Sequence, residues 1–252
     1  MSVNRTRIDP HVKVLGEVGI DRAKRSGLDV IVYAPHFTRL PEIEKRAAEW
    51  SDRDITVLPA REIFTGAWHN RRHILAIGLS SPVPDFISLE AALAECCRQG
   101  ASVLVPHPAF MSVSLSTAEM YEYLDAIDAI EVYNPKFLPW HTRRARALAD
   151  DIGLPGFGSS YAHLPGTVGH VWTEVDAEID SIEDLQSALE DDAFERVGRR
   201  TGWRHVSRRA LEFSHLFWEN SWSKFDRVFV QGTEPTHPTD PAYDGRFEVE
   251  AD

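Results

Sequence analysis

The chain is paced by short runs of consecutive apolar residues, each closed by polar or turn residues and alternating with stretches of helical spacing. "LDVIVYAPH" (28–36) precedes "LPEIEKRAAEW" (40–50), and "ASVLVPHP" (101–108) follows "SLEAALAECCRQG" (88–100). In that last segment Ser88 reads as a helix start and Gly100 as its stop, since a serine side chain caps free amides and glycine tolerates left-handed backbone. "DAIEVYNP" (128–135) precedes "HTRRARALADDIG" (141–153), which also closes on glycine, and "GFGSS" (156–160) is the next strand. "ITVLPAREIF" (55–64) and "RRHILAIGLS" (71–80) read as two strands joined by the polar "TGAWHNR". "GHVWTEV" (169–175) and "FERVGRR" (194–200) flank the helix "SIEDLQSALED" (181–191).

Strands alternating with helices predict parallel βα units, and strands apolar on both faces fit burial between two layers. Six to eight strands in one domain of a 252-residue chain predict an α/β fold. The expected form is a closed or nearly closed βα barrel of the TIM-like kind, with an open doubly wound sheet as the alternative. The pattern changes at residue 204, where "RHVSRRALEFSHLFWENSWSKFDRVFVQ" (204–231) reads as an aromatic-rich amphipathic helix. The expected organisation is therefore a barrel over 1–203, a helix over 204–231 packed on the barrel or on a partner, and an acidic, loosely held tail over 232–252.

Composition narrows the function classes. Acidic residues outnumber basic ones 39 to 27, for a formal charge of −12, which argues against general nucleic-acid or anionic-membrane binding. Lysine occurs only at positions 13, 24, 45, 136 and 224, and an acidic, lysine-poor chain fits a halophilic source. Adjacent Cys96 and Cys97 point in different directions on a helix, so one is expected buried and one partly buried, without a redox role. The absence of a secretory signal or a long apolar run predicts a soluble cytoplasmic protein.

Histidine placement carries the chemistry. His11 ends the first short strand, His36 ends "DVIVYAPH", His107 follows "SVLV", and His163 follows "GFGSS". Glu62 lies in "LPAREI" and His73 opens "HILAIG". In a βα barrel the strand ends converge on one face, so these residues from separate segments can line a single pocket. Imidazoles and a carboxylate suit Zn, Mn or Fe. His69, His141, His170, His205, His215 and His237 fall in loops, helices or the tail and read as packing or surface residues.

The ordered series resembles the PHP domain (polymerase and histidinol phosphatase) family over about residues 7–170. "RIDPHVK" is similar to its opening D-x-H-x-H strand, "GLDVIVYAPH" to its second strand, "LPAREI" to its G-x-E strand and "HILAIG" to the strand after it. "VPHP", "DAIEVYN" and "GSSYAH" are similar to its later segments. The resemblance implies a distorted barrel with a metal cluster and phosphoester hydrolysis. It also implies His11, His36, Glu62, His73, His107 and His163 as metal ligands, with Glu62 bridging.

The departures are as specific. Lys13 stands where a second histidine is expected, Pro35 replaces the aspartate before His36, and Tyr161 replaces the aspartate of D-A-H. An early carboxylate is missing, and "VLGEV" offers only a displaced Glu17. The set matched by Glu62, His73 and His107 is complete, so one divalent ion is expected there. A second is left to His36 and His163, which otherwise serve as acid and base. Lys13 is expected to supply a fixed positive charge towards a substrate phosphate, with Arg61, Arg71 and Tyr161 as further substrate contacts and Arg72 beside them. Alternation along a strand, however, turns Arg61 away from Glu62's side. Glu131 and Asn134 are placed to orient ligand histidines.

The reading is a metal-dependent phosphoesterase acting through activated water on a small phosphorylated metabolite or nucleotide. The alternatives are a barrel that has lost catalysis and binds or regulates, with oligomers through the 204–231 helix, and a metal hydrolase of a non-phosphate bond.

Overall fold

The computed structural model describes residues 5–67, 70–109, 113–202 and 235–248. The expected helix at 204–231 lies outside the described residues, as do His69, His205 and His215. The strands are β1 (Thr6–Val12), β2 (Val30–Tyr33), β3 (Thr56–Thr65), β4 (Arg72–Ile77), β5 (Ser102–Val105), β6 (Ala129–Tyr133), β7 (Gly156–Gly158), β8 (Val171–Val175) and β9 (Phe194–Arg199). The helices are α1 (Glu17–Ser26), α2 (Leu40–Trp50), α3 (Leu89–Gln99), α4 (Thr117–Glu122), α5 (Pro139–Ile152) and α6 (Ile182–Glu190). Ser88 caps α3 by accepting from the Ala91 amide, and Gly100 and Gly153 end α3 and α5 at φ 68° and 71°, in the left-handed region that glycine enters without Cβ strain.

All nine strands form one sheet in the order β7-β6-β5-β4-β3-β2-β1-β8-β9. It is more mixed than the βα rhythm predicts. β1–β2, β2–β3, β5–β6 and β6–β7 are parallel, whereas β3–β4, β4–β5, β1–β8 and β8–β9 are antiparallel. The short polar link between β3 and β4 explains the first reversal, because a parallel crossover needs a longer connection.

The sheet nearly closes on itself. Thr173 Oγ1 on β8 accepts from the Gly158 amide at 2.9 Å and donates to the Gly158 carbonyl, also at 2.9 Å. A Cβ on Gly158 would sit 2.3 Å from Val197 of β9, so only glycine allows this approach. After β7 the chain bridges Ala162 to Val12 of β1, with the Lys13 amide donating to the Ala162 carbonyl at 3.0 Å. The expected distorted βα barrel is the architecture found.

Strand alternation sorts the core. Val30, Val32, Leu58 and Ala60 pack inward with Ile8, Leu75, Leu104 and Phe157, while Ile31, Tyr33 and Val57 face Ile20 of α1 and Ile43 of α2. The register shifts between Asp9 and Val12 on β1. Ile8 belongs to the inner cluster and Val12 to the outer one, so the shift turns His11 and Lys13 inward. Cys96 is buried and Cys97 exposed.

Residues 235–248 dock on the barrel rather than hanging loosely. Arg39 pairs with Asp240 at 2.7 Å, the Asp85 amide donates to the Thr236 carbonyl at 2.8 Å, and Tyr243 is buried. Composition pointed to a loose tail because Pro, Gly and acids lack periodicity, which says nothing of such specific bonds. Among the described residues no helix is long and apolar enough to cross a membrane.

Candidate metal centre

Glu62 is fully buried on β3 and holds the centre of the site. It shares the inward parity of Leu58 and Ala60, and Phe64, two residues on, pairs with His73 across the β3–β4 ladder. The Phe64 and His73 rings stack at 3.8 Å with 6° between planes, which fixes the imidazole's orientation.

The two oxygens of Glu62 face different partners. Oε1 lies 3.4 Å from His11 Nε2, 3.5 Å from His73 Nδ1 and 3.6 Å from His107 Nε2. Oε2 contacts the Lys13 ammonium and, at 2.7 Å, His36 Nδ1. Lys13 also donates to the Ala34 carbonyl at 2.7 Å.

The Oε1 side fits a cation. Both nitrogens of His11 and His73, Nε2 of His107 and Oε1 of Glu62 are buried with no hydrogen-bond partner among the described residues. Buried polar atoms left unpaired are costly, and His11 Nε2, His73 Nδ1 and His107 Nε2 converge on Oε1. Ligand atoms of Glu62, His73 and His107 all lie within 4.8 Å of one another. Ligands around a tetrahedral ion at about 2.0–2.2 Å stand roughly 3.3–3.6 Å apart, close to the spacings at Oε1.

Protonation favours the same conclusion. Burial, then the Lys13 charge, pushes His11 and His36 down to about 3, and burial takes His73 to about 4. These rings are therefore neutral near pH 7, with lone pairs available. Burial opposes ionisation of Glu62, but the Lys13 ammonium and the surrounding imidazoles outweigh it and hold the carboxyl well below its ordinary range.

Glu131, the middle residue of β6, supports the His107 segment. It accepts from the His107 amide at 2.7 Å, from Asn134 Nδ2 at 2.8 Å and from Ser159 Oγ. Ser114 Oγ meets His107 Nδ1 at 3.0 Å. His107 itself has φ 35°, an uncommon value for a non-glycine residue that these bonds hold in place.

Several solved structures share the fold. PsfC from Pseudomonas syringae superposes with TM-score 0.64 at 18% identity, over 84% of this chain and 99% of that one. A two-domain protein from Bacteroides vulgatus containing a predicted PHP-like metal-dependent phosphoesterase gives 0.59 at 21% identity, over 83% and 70% of the two chains. An amidohydrolase from Chromobacterium violaceum with bound sulfate and no metal gives 0.54 at 15% identity, over 76% and 97%. No curated protein matches the chain in sequence. Residues 139–193, spanning α5 to α6, match the model of the PHP-associated family.

The chain is a PHP-type barrel.

Within that PHP-type barrel, the exchanged residues occupy defined places. The Tyr161 ring lies 4.8 Å from His11, 5.3 Å from His107 and 4.7 Å from His163, filling the space between them. Its φ is 45°, a conformation that aspartate enters more readily than tyrosine. Glu17 opens α1 and is exposed, so it supplies no carboxylate to a second ion. His36 Nδ1 stands 2.7 Å from Glu62 Oε2 and His163 Nδ1 2.9 Å from Lys136 Nζ, and among the described residues Glu62, His73 and His107 form the only metal-competent group of three.

The arginines divide. Arg61 was a candidate substrate contact, but it is buried on the opposite face of β3, where it pairs with Asp85 at 3.0 Å and donates to the Glu62 carbonyl. Strand alternation is the reason. Arg72 likewise turns to Glu119 at 2.9 Å. Arg71 is buried with its guanidinium 6.0 Å from the Phe64 ring, one ring removed from His73.

Two PHP-barrel residues escaped the sequence reading. Lys136 is 1% exposed, with Nζ 2.9 Å from His163 Nδ1 and 3.8 Å above the Tyr161 ring. Asp9 is fully buried, accepts from the Ser160 and Gly169 amides, and is raised to about 7 mainly by burial. The aspartate of the opening motif was a signal for Asp9. Lys136 had none, because a lysine after "YNP" reads as a solvated turn.

Proposed function

We propose that this barrel is a metal-dependent phosphoesterase acting on a small phosphorylated metabolite or nucleotide. The observation that carries the reading is the division of Glu62, whose Oε1 meets unsatisfied imidazole nitrogens at ligand spacing while Oε2 is held by Lys13. Glu62, His73 and His107 would hold the ion, with His11 beside them. A divalent ion there supplies Lewis-acid polarisation of a phosphoryl oxygen and activation of water.

With a divalent ion bound, the charge balance of the site favours an anion. Lys13 and Lys136 are buried, as are the carboxylates of Glu62, Glu131 and Asp9. Two ammoniums and a divalent ion outweigh those three carboxylates even when all are ionised, so a dianionic phosphate is attracted. Lys13 holds Glu62 ionised and keeps the local field positive, and Arg71 stands near the His73 side to meet a substrate oxygen. His36 and His163 are the candidate proton carriers. The fold likeness to a protein containing a predicted PHP-like metal-dependent phosphoesterase supports the same class.

A second reading, hydrolysis of a non-phosphate bond, is supported by the likeness to an amidohydrolase. The deciding experiment measures metal per chain on protein purified without chelator, then turnover of p-nitrophenyl phosphate, nucleotides and sugar phosphates beside lactones and amides. Metal binding with phosphoester turnover supports the first reading. Turnover confined to lactones or amides replaces it with the second. Absence of both metal and turnover would leave a binding or regulatory protein.

A further inference from the structure

Lys136 follows β6 and is almost fully buried, although lysine carries a strongly hydrated ammonium. Among the described residues, three electron-rich groups face its Nζ. The Tyr161 carbonyl lies at 3.1 Å, His163 Nδ1 at 2.9 Å, and the face of the Tyr161 ring at 3.8 Å from its centroid. An ammonium has three N–H donors and no acceptor, and these acceptors suit it, with the ring face as a cation–π partner. A neutral amine would instead turn a lone pair on one of these groups.

That arrangement bears on which ring nitrogen of His163 carries the hydrogen. Nδ1 faces both Nζ and, at 3.0 Å, the Tyr161 carbonyl. A hydrogen on Nδ1 would satisfy the carbonyl but oppose the ammonium at 2.9 Å. A bare Nδ1 accepts from the ammonium, which at the same time satisfies the carbonyl. The full charge of the ammonium dominates over the carbonyl dipole. Neutral His163 then carries its hydrogen on Nε2, and a nitrogen bearing hydrogen cannot ligate a metal.

We propose that Lys136 locks His163 as an Nε2–H donor, so that His163 serves the site as a hydrogen-bond donor to an anionic oxygen of the substrate rather than as a metal ligand. Lys136 is then a positioning residue. The choice of acceptor rests on the phosphoesterase reading; the tautomer does not. The surroundings agree, since the nearest imidazole, His36 with its ring 5.6 Å away, is already engaged with Glu62 Oε2.

The test uses the full-length protein labelled with nitrogen-15 at histidine, with the His163 signals identified by their disappearance in His163→Gln. Long-range proton–nitrogen spectra report which ring nitrogen bears hydrogen. The expected wild-type result is a hydrogen on Nε2, no change in the His163 nitrogens on titration with zinc to saturation while His73 and His107 move, and a shift of the Nε2–H signal on adding inorganic phosphate. Lys136→Met should transfer the hydrogen to Nδ1, which then donates to the Tyr161 carbonyl. A wild-type hydrogen on Nδ1, or a His163 nitrogen that moves with zinc, overturns the proposal. Because the wild-type spectrum decides, an unfolded Lys136→Met variant does not rescue it. An Nε2–H unmoved by phosphate overturns the role in anion binding, and that outcome is separate from whether phosphoesters are hydrolysed.

Discussion

The Lys13 ammonium contacts Oε2 of Glu62 with both side chains all but removed from solvent. A fixed cation thus sits against one oxygen of the carboxylate whose other oxygen faces the imidazole cluster. The barrel carries a permanent charge at the position where the resemblance to the PHP family implies a second histidine. It also ties metal chemistry to an ion pair whose loss is expensive.

Lys13→Met leaves the Glu62 carboxylate buried and unpaired, and the expected loss is about 3–5 kcal/mol of stability. Zinc should recover more stability in this variant than in the wild type, because the ion becomes the main counter-charge to Glu62. Thermal unfolding with and without zinc checks both points. An equal zinc increment in the two proteins would contradict the role given to Lys13.

His107→Gln should remove zinc from the chain while leaving it folded. His107 contributes Nε2 to the group with Glu62 and His73, and its other described side-chain bond is to Ser114. A single such hydrogen bond is worth about 1 kcal/mol. Elemental analysis after dialysis should fall from about one ion per chain towards none, with a circular dichroism spectrum like the wild type's.

Acid should unfold the metal-free protein early. His11 and His36 fall to about 3 and His73 to about 4 in the folded state, against 6.5 unfolded. The unfolded chain therefore binds more protons below about 6.5, and stability is present above that pH and lost as pH falls towards 4 and 3. Asp9 runs the other way: its folded value of about 7 against 3.8 unfolded means its contribution is present below 3.8 and lost as pH rises through 7. Three histidines outweigh one aspartate, so urea unfolding in chelator should show stability rising from pH 4 to 6.5. The variant Asp9→Asn should lessen any decline from pH 6.5 to 8.

Asp85→Ala should destabilise by about 3–5 kcal/mol, since it leaves the buried Arg61 guanidinium without its carboxylate. Asp85 Oδ1 also accepts from the Phe64 amide at 2.8 Å, and its own amide holds the 235–248 segment through Thr236. Limited proteolysis should therefore cut that segment faster in the variant. Unchanged cleavage would show that the tail is held independently of Asp85.

The apolar runs, the Ser88 start and the Gly100 and Gly153 stops determined the elements, because these are local properties of backbone and side chain. The order of His11, His36, Glu62, His73, His107 and His163 at strand ends also determined which residues meet, since strands of one barrel deliver their ends to one face. What those residues do to each other was beyond the sequence. A parity change on β1 turned Lys13 onto Glu62, alternation on β3 sent Arg61 to Asp85, and a turn after β6 buried Lys136 beside His163. Charge partners are chosen by distances of a few ångströms between segments far apart in the chain, and only the closed barrel sets those distances.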